Sequence, residues 1–185
     1  MIYLGLTGRY GCGKDTVAQI LQDEGFIHLS LSEVLREYLR SQNIPLTREN
    51  LIKYGDQMRE EFGPDVLSQR CIAKLKPNHN YVFSSIRSLG ELRRLQTLPG
   101  FQLIEVVAPI DVRLARLQQR NREHDPKTKS ELLHREQQEQ TSDPSGMQLS
   151  EVIAQARYQI LNDSTVEVLQ TRTKELLRKV TTSKN

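Results

Sequence analysis

Apolar residues fall into short unbroken runs, separated by longer stretches in which they recur every third or fourth position. The runs at 2–6, 26–29, 81–83, 101–108 and 158–161 have the length and the β-branched or aromatic content of buried strands. Helical spacing fills the intervals at 15–24, 31–40, 48–62, 65–75, 89–98, 111–120 and 130–140, and again from Thr165 to about Lys179. Ser30 with Glu33, and Ser88 with Glu91, read as capping boxes, and Thr47 and Thr165 as N-caps. In 48–62, Leu51, Tyr54, Met58 and Phe62 share a face. The helix at 130–140 has few apolar anchors, so it is expected to lie against solvent or to move. Breaks fall at Gly25, Asn43-Ile44-Pro45, Gly63-Pro64, His124-Asp125-Pro126 and 143–146. Strands alternating with helices predict an α/β fold, a parallel sheet flanked by helices on both faces in three layers.

Composition narrows this reading without redirecting it. At 185 residues, with 37% hydrophobic and 26% charged positions, the chain is expected to form a single domain over 1–185. A net charge of +3 is too slight to imply a nucleic-acid partner. No apolar run approaches the roughly 18 residues of a membrane span, and no leader segment is apparent. Cys12 and Cys71 make no disulfide framework, and with these features a cytoplasmic protein is expected. His28, His79, His124 and His134 have no metal-ligand spacing and read as structural or surface residues.

The chemistry concentrates after the first strand, in Gly8-Arg9-Tyr10-Gly11-Cys12-Gly13-Lys14-Asp15-Thr16. A strand, a glycine-rich turn and a lysine opening a helix are the parts of a phosphate-binding P-loop. Gly8, Gly11 and Gly13 permit backbone angles that turn successive N–H groups inward on phosphate oxygens, with Cys12 between them. Lys14 adds a charge at the terminal phosphates, and the following helix directs its positive end at them. The usual hydroxyl after the lysine is replaced by Asp15, with Thr16 one place later. Two readings of Asp15 stand: an oxygen ligand for Mg²⁺ together with Thr16, or an acid that complements the helix dipole.

With these motifs in place, the chain resembles the P-loop nucleoside monophosphate kinase superfamily, and within it deoxynucleoside monophosphate kinases and dephospho-CoA kinases. The resemblance rests on residues 8–16, Ser84-Ser85-Ile86-Arg87-Ser88, the stretch 113–125 and Ile160-Leu161-Asn162. It implies ATP as phosphoryl donor, Mg²⁺ as its cation and a small phosphorylated acceptor. It also implies an acceptor-binding insertion at 30–76 and a lid at 111–142. Arg36 and Arg87 stand where the superfamily holds the acceptor phosphate, and Arg59 is a third candidate. In the lid, Arg113, Arg116 and Arg120 share a helical face, without acids in that window, and so need an anion. The resemblance brings Arg116, Arg120 or Arg122 closest to the transferring group; a solvated basic face is the alternative. Asn162 matches a residue beside the adenine ring, or is a turn residue.

Two acids that the resemblance leads one to expect are missing. Ser84 stands where relatives carry a strand-three Asp that orients Mg²⁺ through water. Ser30 and Ser32 stand where dephospho-CoA kinases place acids near a catalytic base. A hydroxyl acceptor benefits from such a base, whereas a phosphate monoester, with a second pKa of about 6, is already mostly dianionic at neutral pH. Mg²⁺-ATP-dependent transfer to a nucleoside monophosphate, a deoxynucleotide for preference, is the resulting expectation. Transfer to a sugar hydroxyl and a non-catalytic ATP-binding sensor are the alternatives.

Overall fold

The computed structural model describes residues 1–120, 125–138 and 147–182. Five strands, β1 (Tyr3–Thr7), β2 (Phe26–Ser30), β3 (Asn80–Ser84), β4 (Gln102–Val107) and β5 (Tyr158–Leu161), form one sheet in the order β2-β3-β1-β4-β5. Every pairing is parallel. Ser30 pairs with Ser84 in register, so β2 and β3 end level with each other. The central strand β1 runs into the glycine-rich turn and then α1 (Lys14–Asp23). A connection leaving the carboxyl end of a central strand opens the crevice where open α/β sheets bind their ligands. This is the parallel, helix-flanked α/β sheet that the alternation of runs and periodic segments predicts, with the glycine-rich turn placed as the resemblance to P-loop kinases implies.

The pleat divides the core in two. Leu4, Leu6, Phe26, Val82, Ile104, Val106 and Ile160 face Val17, Ile20 and Leu21 of α1 and Leu169, Leu176 and Val180 of α9 (Val166–Thr182). Tyr3, Tyr81, Phe83 and Leu103 face the other way. They pack against α2 (Leu31–Ser41), α3 (Arg48–Phe62), α4 (Val66–Ile72) and α5 (Leu89–Gln96). Strands buried on both faces read as continuous apolar runs, which is why they were legible.

Several local expectations need correction. Ser30 is the N-cap of α2, but its side chain makes no capping bond. Its Oγ instead lies 2.9 Å from Ser32 Oγ and 3.2 Å from Ser85 Oγ. Ser88 does form the predicted capping box with Glu91. Phe62 leaves the face it shares with buried Met58 and is 50% exposed, with the Arg70 guanidinium 5.6 Å from its ring. The helix expected to lie against solvent or to move, α7 (Lys129–Gln138), does expose most of its described side chains, but it is also anchored at two points. Leu132 is fully buried, and buried Glu136 is bonded to Arg113 of α6 (Ile110–Arg120). Between the last two strands, α8 (Leu149–Ala154) is an element that its six residues are too short to announce by periodicity. It is fastened by buried Leu149 and Val152, each contributing about 1.5–3 kcal/mol. The predicted break at 143–146, and Glu139 and Gln140 of the predicted helix, lie outside the described residues.

Candidate active site

The turn from β1 into α1 is tied to two distant parts of the chain. Gly13 caps α1 at φ 95°, in the left-handed region that disfavours a side chain. A Cβ there would also lie 2.2 Å from Asn162 Nδ2. Asn162 is buried at the end of β5 and donates through Nδ2 to the Cys12 carbonyl at 2.8 Å. Gly8 is equally constrained, since a Cβ would meet the Val106 carbonyl oxygen at 2.4 Å. The β4 backbone and the Asn162 side chain just past β5 therefore set the curvature of the loop. Lys14 is folded over it, donating from Nζ to the carbonyls of Gly8 at 2.6 Å and Arg9 at 3.1 Å.

Asp15 is exposed and Thr16 half-buried in the first turn of α1. Consecutive in the first turn of α1, they offer a carboxylate and a hydroxyl, oxygen donors of the kind that a hard divalent cation prefers, so the residue types present fit Mg²⁺. Behind them, Thr7 Oγ1 is buried with no hydrogen-bond partner among the described residues.

Arg113, Arg116 and Arg120 of α6 come close to the loop, Arg9 lies within it, and each is already engaged. Arg116 donates from Nη2 to Asn162 Oδ1 at 2.9 Å and from Nη1 to the Asn162 carbonyl at 3.1 Å. Arg113 is buried and bonded to Glu136, to the Tyr10 carbonyl at 2.9 Å and to the Ala108 carbonyl at 3.1 Å. Arg120 donates to Asp125 through Nε at 2.8 Å and to the Tyr10 hydroxyl at 2.9 Å. Arg9 donates to Glu136 at 3.4 Å. For Arg113 and Arg120 the expectation that the lid arginines lack acids and therefore need an anion is thus corrected, whereas the hydrogen bonds of Arg116 run to Asn162 and not to an acid. The acids arrive from α7 and from Asp125, beyond the window in which the charges were read. Arg122 lies outside the described residues. Tyr10, at the loop tip, has the guanidinium groups of Arg120 and Arg135 at 5.6 and 5.0 Å from its ring, and its hydroxyl donates to Asp125 at 2.8 Å. Tyr10, Asp125 and Glu136 are residues that sequence reasoning missed. Only the pairing of α6 with α7 brings them together.

On the other side of the crevice, the ends of β2 and β3 carry hydroxyls. Ser30, Ser32 and Ser85 form a triangle with edges of 2.9, 3.2 and 3.2 Å. Ser85 holds a left-handed backbone at φ 63°, a strained conformation for a residue with a side chain. Arg36 donates to Ser32 Oγ at 2.8 Å. Glu33, the nearest acid on the same helix, is bonded to Arg40 at 2.6 Å and lies 3.6 Å from Arg36. Arg87 follows β3, with Nη1 3.7 Å from Met147 Sδ, and its backbone N–H donates to Glu91 Oε2 at 2.8 Å. Arg59 does not join this group. It is buried, bonded to Glu91 at 3.1 Å and to Asp56 at 3.2 Å, and serves as an internal counter-ion.

Ser84 also sits at this edge, with its Oγ 2.7 Å from His28 Nε2. Burial pushes the His28 pKa below its ordinary value, and the negative charge of Asp15 opposes that shift in part. The imidazole read as structural or surface thus lies within the electrostatic reach of the P-loop. The clue in the sequence was its place in β2, two residues from Phe26 and two from Ser30 and so on one side of the sheet with both.

Among known proteins, the AAA domain family matches residues 4–142 of this chain. A UPF0200 protein of Saccharolobus islandicus is 32% identical over 179 residues, covering 95% of this chain and 92% of that protein. Among solved structures, a shikimate kinase from Bacteroides thetaiotaomicron superposes with a TM-score of 0.61 at 17% identity, covering 96% of this chain and 98% of the other. A gluconokinase from Sinorhizobium meliloti 1021 superposes with a TM-score of 0.55 at 15% identity, over 100% and 98% of the two chains.

Proposed function

This chain belongs to the UPF0200 proteins and to the AAA domain family, and we propose that it transfers the γ-phosphoryl group of Mg²⁺-ATP to a nucleoside monophosphate. The single observation that carries this reading is the make-up of the crevice. A P-loop with Lys14 forms one wall, and Arg36 with the Ser30–Ser32–Ser85 hydroxyls forms the other. Among the described residues no carboxylate is bonded to those three hydroxyls, and Glu33 lies 3.6 Å from Arg36. A cation and hydroxyl donors suit a phosphate dianion, which attacks without surrendering a proton.

In this scheme the N–H groups of residues 8–16 cradle the donor phosphates, and Asn162 keeps the loop in shape through the Cys12 carbonyl. Lys14 leaves the Gly8 and Arg9 carbonyls for the terminal phosphates. Arg36 and Arg87 hold the acceptor. An oxygen of its phosphate attacks the γ-phosphorus in line, and the bond to the β–γ bridging oxygen breaks, leaving ADP. Arg116 and Arg120 stabilise charge on the transferring group, Arg120 by exchanging Asp125 for phosphate. Asp15 and Thr16 would hold Mg²⁺, which neutralises charge on the donor phosphates when bound.

The kinase neighbours support phosphoryl transfer at the level of the fold. An ADP-release assay over ribo- and deoxynucleoside monophosphates, with dephospho-CoA included, tests the reading. Turnover on a monophosphate is expected. Turnover on dephospho-CoA alone would move the attacking atom to a hydroxyl, and no turnover with intact ATP binding would favour a sensor.

A further inference from the structure

His28 is the third residue of β2, and its side chain falls on the side of the sheet that carries Phe26 and packs beneath α1. Its register partner is Val82, which belongs to the same side. Ser84, two residues on, therefore points the same way, which is how the 2.7 Å contact to His28 Nε2 arises. Ser84 is only 2% exposed, so its hydroxyl is a fixed partner, whereas the imidazole is half-buried. His28 Nδ1 has no hydrogen-bond partner among the described residues. The Asp15 charge reaches the ring from the first turn of α1. A buried hydroxyl thus fixes one nitrogen of a ring whose other nitrogen has no assigned task, within electrostatic reach of Asp15 in the first turn of α1.

We propose that His28, oriented by Ser84, is a positioning residue on the donor side, and that with Asp15 it orders the water shell of the divalent cation accompanying the nucleotide phosphates. When Nε2–H donates to Ser84, Nδ1 presents a lone pair that accepts from a cation-bound water. The neutral ring, which burial favours, does this without adding repulsion to the cation. The arrangement supplies an acceptor where Ser84 replaces the carboxylate expected at the end of β3. It rests on the reading of residues 8–16 as a metal-nucleotide cradle and is independent of the acceptor's identity.

The test needs no acceptor. Free Mn²⁺ is followed by electron paramagnetic resonance during titration of the protein with ADP present, and metal-free ADP affinity is measured by calorimetry. His28→Ala is expected to weaken Mn²⁺ retention about tenfold, the scale at which outer-shell partners act, with metal-free ADP affinity unchanged. Ser84→Ala should lose less in the same direction. Adding Ser84→Asp to His28→Ala should restore retention, a rescue that a merely structural histidine would not show. If His28→Ala does not fold, His28→Gln carries the same expectation. Wild-type retention in a folded His28 variant would overturn the inference. A wild-type protein that binds ADP but retains no Mn²⁺ would overturn it as well, whereas failure to bind ADP at all would remove the cradle reading along with it.

Discussion

Arg116 and Asn162 meet over the phosphate loop: the guanidinium donates to both the side-chain and backbone oxygens of the asparagine at 2.9 and 3.1 Å. Since Asn162 Nδ2 also donates to the Cys12 carbonyl, one buried side chain couples α6, the end of β5 and the P-loop. Asn162→Ala removes the side-chain bonds to Arg116 Nη2 and to the Cys12 carbonyl, and keeps only the backbone carbonyl as a partner for Arg116 Nη1. We expect a stability loss of about 1–3 kcal/mol and a roughly tenfold drop in ATP affinity, measured by denaturant unfolding and calorimetry.

The assignment of Arg59 as an internal counter-ion is tested at its partner. Glu91 is 1% exposed and accepts from Arg59 Nη2 and from the backbone N–H groups of Arg87 and Ser88. Glu91→Gln removes the charge that neutralises a buried guanidinium, which costs about 3–5 kcal/mol, or about 10 °C in melting temperature. The double variant Arg59→Met/Glu91→Gln should recover part of that loss. An Arg59→Met variant that melts like the wild type but binds acceptor poorly would return Arg59 to the acceptor site.

His28 gives stability a pH dependence of defined sign. Its pKa is lowered from 6.5 in the fold, chiefly by burial, so over the interval just below 6.5 the unfolded chain binds more protons than the native one. The neutral ring's contribution is fully present above 6.5 and is lost as pH falls through the lowered value. Unfolding free energy should therefore decline on acidification in the wild type, with a shallower decline in His28→Gln. Proton NMR of the His28 ring should show a midpoint below 6.5.

Cys71 is expected to be inert. Burial pushes its thiol up to about 12, Lys74 opposes the shift, and Glu91 and Glu37 add to it. At about pH 8 the thiolate is too scarce to react with a disulfide reagent such as DTNB until the protein unfolds. Absorbance of the released thiol, with and without guanidinium, measures this. Rapid labelling of Cys71 in the native state would mean that α4 opens.

The sheet was legible because strands buried on both faces must be apolar throughout, and the P-loop because Gly8, Gly13 and Lys14 stand at fixed offsets within one local segment. The short helix α8 was not, since six residues show less than two turns of periodicity and its identity rests on Leu149 and Val152 reaching the core. Ser30 illustrates a different failure. Its spacing to Glu33 fits a capping box, but Ser32 and Ser85 compete for the same hydroxyl and win it.

The sequence by itself determined the alternation of the strands with every helix but α8, the glycine-rich loop and the supply of arginines, all of which depend on neighbours within a few residues. Tertiary structure alone decided what each arginine is bonded to. It turned Arg59 inward to Glu91, gave Arg113 to Glu136 and Arg120 to Asp125, and brought His28 to Ser84. An ion pair depends on distance in space, and folding sets that distance for residues far apart in the chain. A run of basic residues read along one helix therefore says that charge is present, but not what it is paired with.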